Sequence, residues 1–253
     1  LTPPATSGLI GVDGRVAVYS LSAGEVAAVV SRVSKEEFSE QLLEEKVRDL
    51  AWLAEKVRLH ETVVEEVMAQ TTVLPLRLMT LFSAEDRLLE ALRPHQNSLK
   101  AFLEETQDKA EWAVKVYLDT NQAMNCLLSD SPKADQEPPQ APGEIYLFQK
   151  HLQKRAREEL AEARARLCQE LYHGLADLSA SSKRLKPLEG EGSIVFNAAF
   201  LVSRNGLEAF HREVDRLAGD YHKRGFLLHL SGPWPPYNFC PVLQGCHDPT
   251  PGG

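Results

Sequence analysis

The chain has 253 residues, of which 43% are hydrophobic and 25% charged, and its formal net charge is −8 at pH 7. That is the make-up of a globular protein long enough to bury a sizeable core without staples. The acidic balance argues against nucleic acid or an anionic membrane as the main partner, and no apolar run approaches the roughly 18 residues a bilayer span requires.

Arg15–Leu21 and Val26–Val33 read as strands, with turns at Asp13-Gly14 and Ala23-Gly24. A helix is predicted from about Ser39 to Gln70. There Leu43, Val47, Leu50, Ala54, Val57, Glu61, Val64 and Met68 alternate steps of four and three, which places them on one stripe. Leu53, His60 and Val67 flank that stripe. Thr72–Leu78 reads as a strand, in which Pro75 marks an edge or a bulge. Ser83-x-x-Asp86 opens a helix that runs to about Gln107, interrupted at Pro94. Ala110–Leu118 is then a strand with Trp112, Val114, Val116 and Leu118 on one face. The order strand–strand–helix–strand–helix–strand predicts an α+β fold. It assigns residues 1–128 to an N-terminal ferredoxin-like variant with helices on one face of its sheet.

Residues 129–143 hold four prolines and no apolar period, and read as a linker. Residues 144–253 form a second α+β domain. Its long helix, Glu144 to about Leu178, would span roughly 50 Å. Ile145, Phe148, Leu152, Ala156, Leu160, Leu167, Leu171 and Leu178 make its apolar stripe. Lys154, Arg155, Arg157, Arg164 and Arg166 alternate with Glu158, Glu159 and Glu162 on the other face, a pattern typical of a solvated surface. A strand at Ser193–Val202 follows, then a helix from the box Asn205-x-x-Glu208 to about His222, and a strand at Phe226–Leu230. The run Leu230-Ser-Gly-Pro-Trp-Pro-Pro-Tyr-Asn-Phe239 contains three prolines. It can therefore be neither helix nor central strand. It reads as a stiff, extended strap that projects Trp234, Tyr237 and Phe239.

Enzyme motifs are mostly missing: G-x-S-x-G, G-x-x-x-x-G-K-[ST] and G-x-G-x-x-G do not occur. His60-Glu61 begins like H-E-x-x-H, but Val64 stands where the second zinc ligand belongs. Two readings of the pair stay open. One is a structural pair satisfied by neighbours such as Arg77 or Lys115, which the lack of a nucleophile, metal or phosphate loop favours. The other is the general acid–base pair of a small-molecule enzyme built on the sheet. Cys240-x5-Cys246-His247 supplies three possible zinc ligands, but the spacing is wider than usual and the sequence identifies no fourth, so free thiols are the preferred reading. No catalytic, metal-binding or cofactor-binding residue is assigned, and no cofactor is expected. Four scattered cysteines fit a reducing compartment, and no secretory signal is visible, so a cytoplasmic protein is expected. A third reading is a generic scaffold that uses the helix from Glu144 as a coiled-coil arm.

Gly232-Pro-Trp-Pro-Pro-Tyr-x-Phe239 resembles the C-terminal signature of the gas vesicle protein F/L family (GvpF/GvpL). Other segments follow in the family's order. Ala27-Ala28-Val29-Val30-Ser31 is similar to its first-sheet strand, and Trp52 with Val57-Arg58-Leu59-His60-Glu61 to its long-helix pattern. Leu74-Pro75-Leu76-Arg77-Leu78-Met79-Thr80 resembles its "PLRFGT" turn, with Leu78-Met79 in place of Phe-Gly. Glu111-Trp112-Ala113-Val114-Lys115-Val116 and Asn197-Ala198-Ala199-Phe200-Leu201-Val202 match further on, while the family's opening "YLYGI" strand has no counterpart before Leu9-Ile10-Gly11.

The resemblance implies a non-catalytic accessory or minor structural protein of gas vesicles. It would bind the small hydrophobic shell protein (GvpA-like) and support nucleation and assembly, with other accessory proteins as further partners and neither nucleic acid nor lipid membrane among them. It implies the gas vesicle as a location beside the cytoplasm. The expected contact residues are Pro75, Arg77 and Thr80 on the first segment, and Trp234, Tyr237 and Phe239 on the strap. The competing expectation is that the strap covers the core of its own domain.

Overall fold

A computed structural model describes residues 3–129, 142–186 and 193–243, so Cys246 and His247 and most of the expected linker lie outside the described residues. The fold is α+β with antiparallel sheets, and it divides into two units. The first comprises Leu1–Asp108 with Trp234–Gly253, the second Lys109–Pro233. Among the described residues, no helix is long and apolar enough to cross a membrane.

In the first unit, β1 (Tyr19–Ala23) and β2 (Val26–Val30) form a two-stranded antiparallel hairpin in which Ala23 pairs with Val26. Gly24, first of the two loop residues, has φ +68°, which a side chain rarely adopts and a hairpin of this length requires. The predicted single helix is two: α1 (Glu40–Lys46) and α2 (Leu50–Met68). The break is Asp49, whose carboxylate accepts from the backbone N–H groups of Ala51 (3.0 Å) and Trp52 (3.3 Å) and so starts a new helix.

The face that α2 buries is also not the expected stripe. Lys56 and Val67 are its buried residues, whereas Leu50 is 78% exposed. The charge on Lys56 conceals this inner face. Its ammonium lies 3.4 Å from a Glu37 carboxylate oxygen and 5.7 and 5.6 Å from the ring centroids of Phe38 and Trp52. The cation is thus paired and stacked while its methylene stem packs. The next helical pair, α3 (Glu85–Leu92) and α4 (Gln96–Glu105), is separated by a 3₁₀ turn at Arg93–His95, so Pro94 interrupts the helix as predicted. Ala23, Val26, Leu88, Leu92, Leu99 and Leu243 form the core of this unit.

The segment Thr72–Leu78 forms no strand. Pro75 has no N–H to give to a ladder. The carbonyls of Pro75 and Leu76 meet the side chains of Cys240 and His60 in place of a neighbouring strand.

The second unit carries a four-stranded sheet in the order β4-β5-β3-β6, built from β3 (Lys109–Leu118), β4 (Ser181–Arg184), β5 (Ile194–Ser203) and β6 (Phe226–Trp234). Helices α5 (Thr120–Ser129) and α6 (Pro142–Ala176) connect β3 to β4, and α7 (Leu207–His222) connects β5 to β6. This is the β-α-β-β-α-β succession of a ferredoxin-like unit. The ferredoxin-like sheet therefore belongs here and not to residues 1–128. The strand expected to complete a first-half sheet, β3, pairs antiparallel with β5 (Trp112↔Phe200, Val114↔Ala198, Val116↔Phe196).

The reason is burial. Phe196, Ala198, Phe200 and Val202 of β5 form one core with Leu167, Leu171 and Leu175 of α6 and with Phe210, Val214 and Leu217 of α7. Each fully buried side chain of this size stabilises by about 1.5–3 kcal/mol. The five-residue β1 and β2 offer no comparable apolar surface. The expected Asn205 cap does not form. A 3₁₀ turn, Arg204–Gly206, leads into α7, and Ser203 caps that turn, its hydroxyl accepting from Gly206 N–H at 3.2 Å. Helix α7 itself starts from Gly206 without a side-chain cap.

Candidate functional site

In the first unit α2, the 72–80 segment and the C-terminal strap converge on His60 and Glu61. Pro235 and Pro236 are buried, and a short 3₁₀ turn, Tyr237–Phe239, follows them. The Tyr237 N–H donates to the Pro235 carbonyl at 2.7 Å and the Phe239 N–H to that of Pro236 at 3.1 Å. This turn aims the Tyr237 phenol at α2. Its hydroxyl donates to Glu61 Oε1 at 2.8 Å and lies 3.2 Å from His60 Nε2. The same His60 nitrogen is 3.1 Å from the Leu76 carbonyl.

One proton arrangement satisfies all four groups. A neutral His60 carries its proton on Nε2 and donates to Leu76, with the Tyr237 oxygen as a second acceptor, while Tyr237 donates to Glu61. The electrostatics agree. Burial lowers the His60 pKa against the upward pull of Glu61 and the Leu76 carbonyl. Burial, with the hydrogen bond to Glu61 next, pushes the Tyr237 phenol well above its ordinary value.

The Cys240 thiol lies 3.3 Å from the Pro236 carbonyl and 3.7 Å from that of Pro75, which ties the strap to the turn segment. The Arg77 carbonyl accepts from both the N–H (3.1 Å) and the hydroxyl (2.7 Å) of Thr80. Between them Met79 sits at φ +66°, at the position where the resemblance expects glycine.

Of the expected contact residues, Pro75 is buried, Thr80, Tyr237 and Phe239 are half-buried, and Arg77 and Trp234 are exposed. Tyr237 and the Leu76 carbonyl come together around His60, while the Pro75 carbonyl meets the Cys240 thiol. The partners of the His60–Glu61 pair are thus Tyr237 and Leu76, two residues the sequence singles out in other segments but not as partners of this pair. Tyr237 lies 177 residues from His60, and no local pattern could join them. Two shallow grooves, of about 780 and 670 Å³, lie along α6 and at the start of α7, and neither is lined by His60, Glu61 or Tyr237.

The fold is that of a known structural group. The crystal structure of GvpF from an Anabaena strain matches with a TM-score of 0.68 at 17% identity, over 95% of this chain and 94% of that one. Gas vesicle protein L of a Streptomyces species is 28% identical over 247 residues, 96% of this chain and 88% of its own length. Gas vesicle protein F from the same source is 28% identical over 242 residues, covering 93% and 92%. Residues 2–241 match the family of gas vesicle synthesis protein GvpL/GvpF, and the chain belongs to that family.

Proposed function

We propose that the protein is a non-catalytic accessory or minor structural component of gas vesicles. It binds the hydrophobic shell protein (GvpA-like) and supports nucleation and assembly, with other accessory proteins as further partners. It acts in the cytoplasm and at the gas vesicle. The observation that carries this reading is the family match across residues 2–241. The state of the His60–Glu61 pair supports a docking role over catalysis. His60 Nε2 and Glu61 Oε1 are engaged by Tyr237 and Leu76, so a substrate would have to displace the strap to reach those two atoms.

In this reading the strap and the Pro75–Thr80 turn have divided work. Pro75, Thr80, Tyr237 and Phe239 hold the two segments in place, and Arg77 and Trp234 present a cation and an indole at the surface. An indole is a common anchor for apolar partners.

The test uses the full chain with Trp234→Ala and Arg77→Glu, measured for unfolding free energy and for binding to purified shell subunit. Unchanged stability with binding weakened about tenfold or more is expected of contact residues. A large loss of stability on Trp234→Ala, with the affinity of the folded fraction unchanged, would make that indole a core anchor and remove it from the contact surface.

A further inference from the structure

Helix α6 buries one side and leaves another bare. Ala156, Leu160, Leu167, Leu171 and Leu175 are buried, but no residue between 145 and 155 is. In that first part Tyr146 is 62% and Leu147 65% exposed. At helical spacing they share an arc of about 120° with Lys150, Lys154 and Arg157. These five residues line the groove of about 780 Å³.

The stretch is basic in an acidic protein, and Lys150, Lys154 and Arg157 bring that charge to the arc. Lys150, Lys154, Arg155 and Arg157 occur with no acidic residue from 145 to 157, in a chain of net charge −8. Lys154 and Arg155 approach Glu158 and Glu159 at 3.8 and 3.5 Å one turn on, exposed pairs that neutralise little. Lys150 and Arg157 form no ion pair among the described residues.

We propose that this face of α6 binds an acidic amphipathic helix of a partner protein. The partner lays its apolar side on Tyr146 and Leu147 and sets its carboxylates against Lys150, Lys154 and Arg157. The dimensions select a helix. The basic stretch covers about three turns, roughly 16 Å, and ends at Glu158, Glu159 and Glu162. A nucleic-acid duplex or a lipid surface would run past that end into the carboxylates. A partner helix of about three turns fits within the face. The inference does not depend on which gas vesicle component the chain docks.

The test is fluorescence anisotropy of the full chain with a labelled synthetic helix of about twenty residues, leucines on one face and glutamates beside them within its central three turns. Two controls have the same length: one with the same residues scrambled to abolish the apolar face, one with lysine for glutamate. The amphipathic acidic peptide should bind at least about tenfold more tightly than the scrambled one. The triple charge reversal K150E/K154E/R157E should lose that binding and gain binding of the lysine peptide. The pair Y146S/L147S should erase the preference over the scrambled peptide. All five positions are exposed, and circular dichroism melts should match the parent chain. Equal binding of both acidic peptides, or binding unmoved by the charge reversal, overturns the proposal. So does tighter binding to a DNA duplex or to phosphatidylserine vesicles than to the peptide.

Discussion

Tyr237 holds the strap by a hydrogen bond to a carboxylate, and such bonds contribute more than neutral ones. Tyr237→Phe keeps the ring and removes the donor to Glu61. It should cost about 1–2 kcal/mol in urea unfolding. His60 gives the protein a pH dependence whose sign follows from burial. Its native pKa is lowered from 6.5, so between that native value and 6.5 the unfolded chain binds more protons than the folded one. The His60 contribution is fully present above about pH 6.5 and is lost as pH falls through the lower native value. Urea midpoints measured from pH 7.5 to 5 should decline, and His60→Gln should flatten that part of the decline. Met79 offers the opposite test. A left-handed φ costs a non-glycine residue about 1 kcal/mol or more, so Met79→Gly should raise stability by up to about 1 kcal/mol, read as a higher midpoint at unchanged slope.

Among the elements, α2 and β6 depend on single residues whose roles are local. Removing the double acceptor at the start of α2 with Asp49→Ala should cost about 1 kcal/mol. In β6, Gly232 has φ +140°, and a Cβ there would lie 2.9 Å from the Glu111 carbonyl and 3.0 Å from the Trp112 ring. Gly232→Ala should therefore cost about 2 kcal/mol or more, seen as a lower thermal midpoint.

Element types were largely legible where the apolar period was strong. Val114 and Val116 of β3, Leu167 and Leu171 of α6, and Pro94 between α3 and α4 all stand where the pattern puts them. Reading failed where a charged or cyclic residue did unusual work. Lys56, buried against two aromatic rings, disguised the inner face of α2, and Asp49 split a helix whose apolar spacing ran on without a break. Pro75 stood in an extended segment that bonds to side chains instead of to a strand. The short β4 and α5 carry little apolar signal and were not foreseen.

At the scale of the whole molecule, strand pairing is the information the sequence conceals. β3 reads correctly as a strand, yet its partner β5 lies some eighty residues on, and only packing against α6 and α7 decides the pairing. The same holds for the cluster at His60. Its histidine, its glutamate and the strap tyrosine were each picked out, but their meeting is a product of the fold. The family, by contrast, was legible because its signature segments occur in order along the chain, and the match over residues 2–241 agrees.

The most direct test of the proposed role is a titration of the full chain with purified gas vesicle shell subunit, in detergent-free buffer, by calorimetry or interferometry. The account predicts saturable binding at about micromolar affinity or tighter, worth about 8 kcal/mol, and weakened by Arg77→Glu. A folded chain that shows no saturable binding to the shell subunit would contradict it.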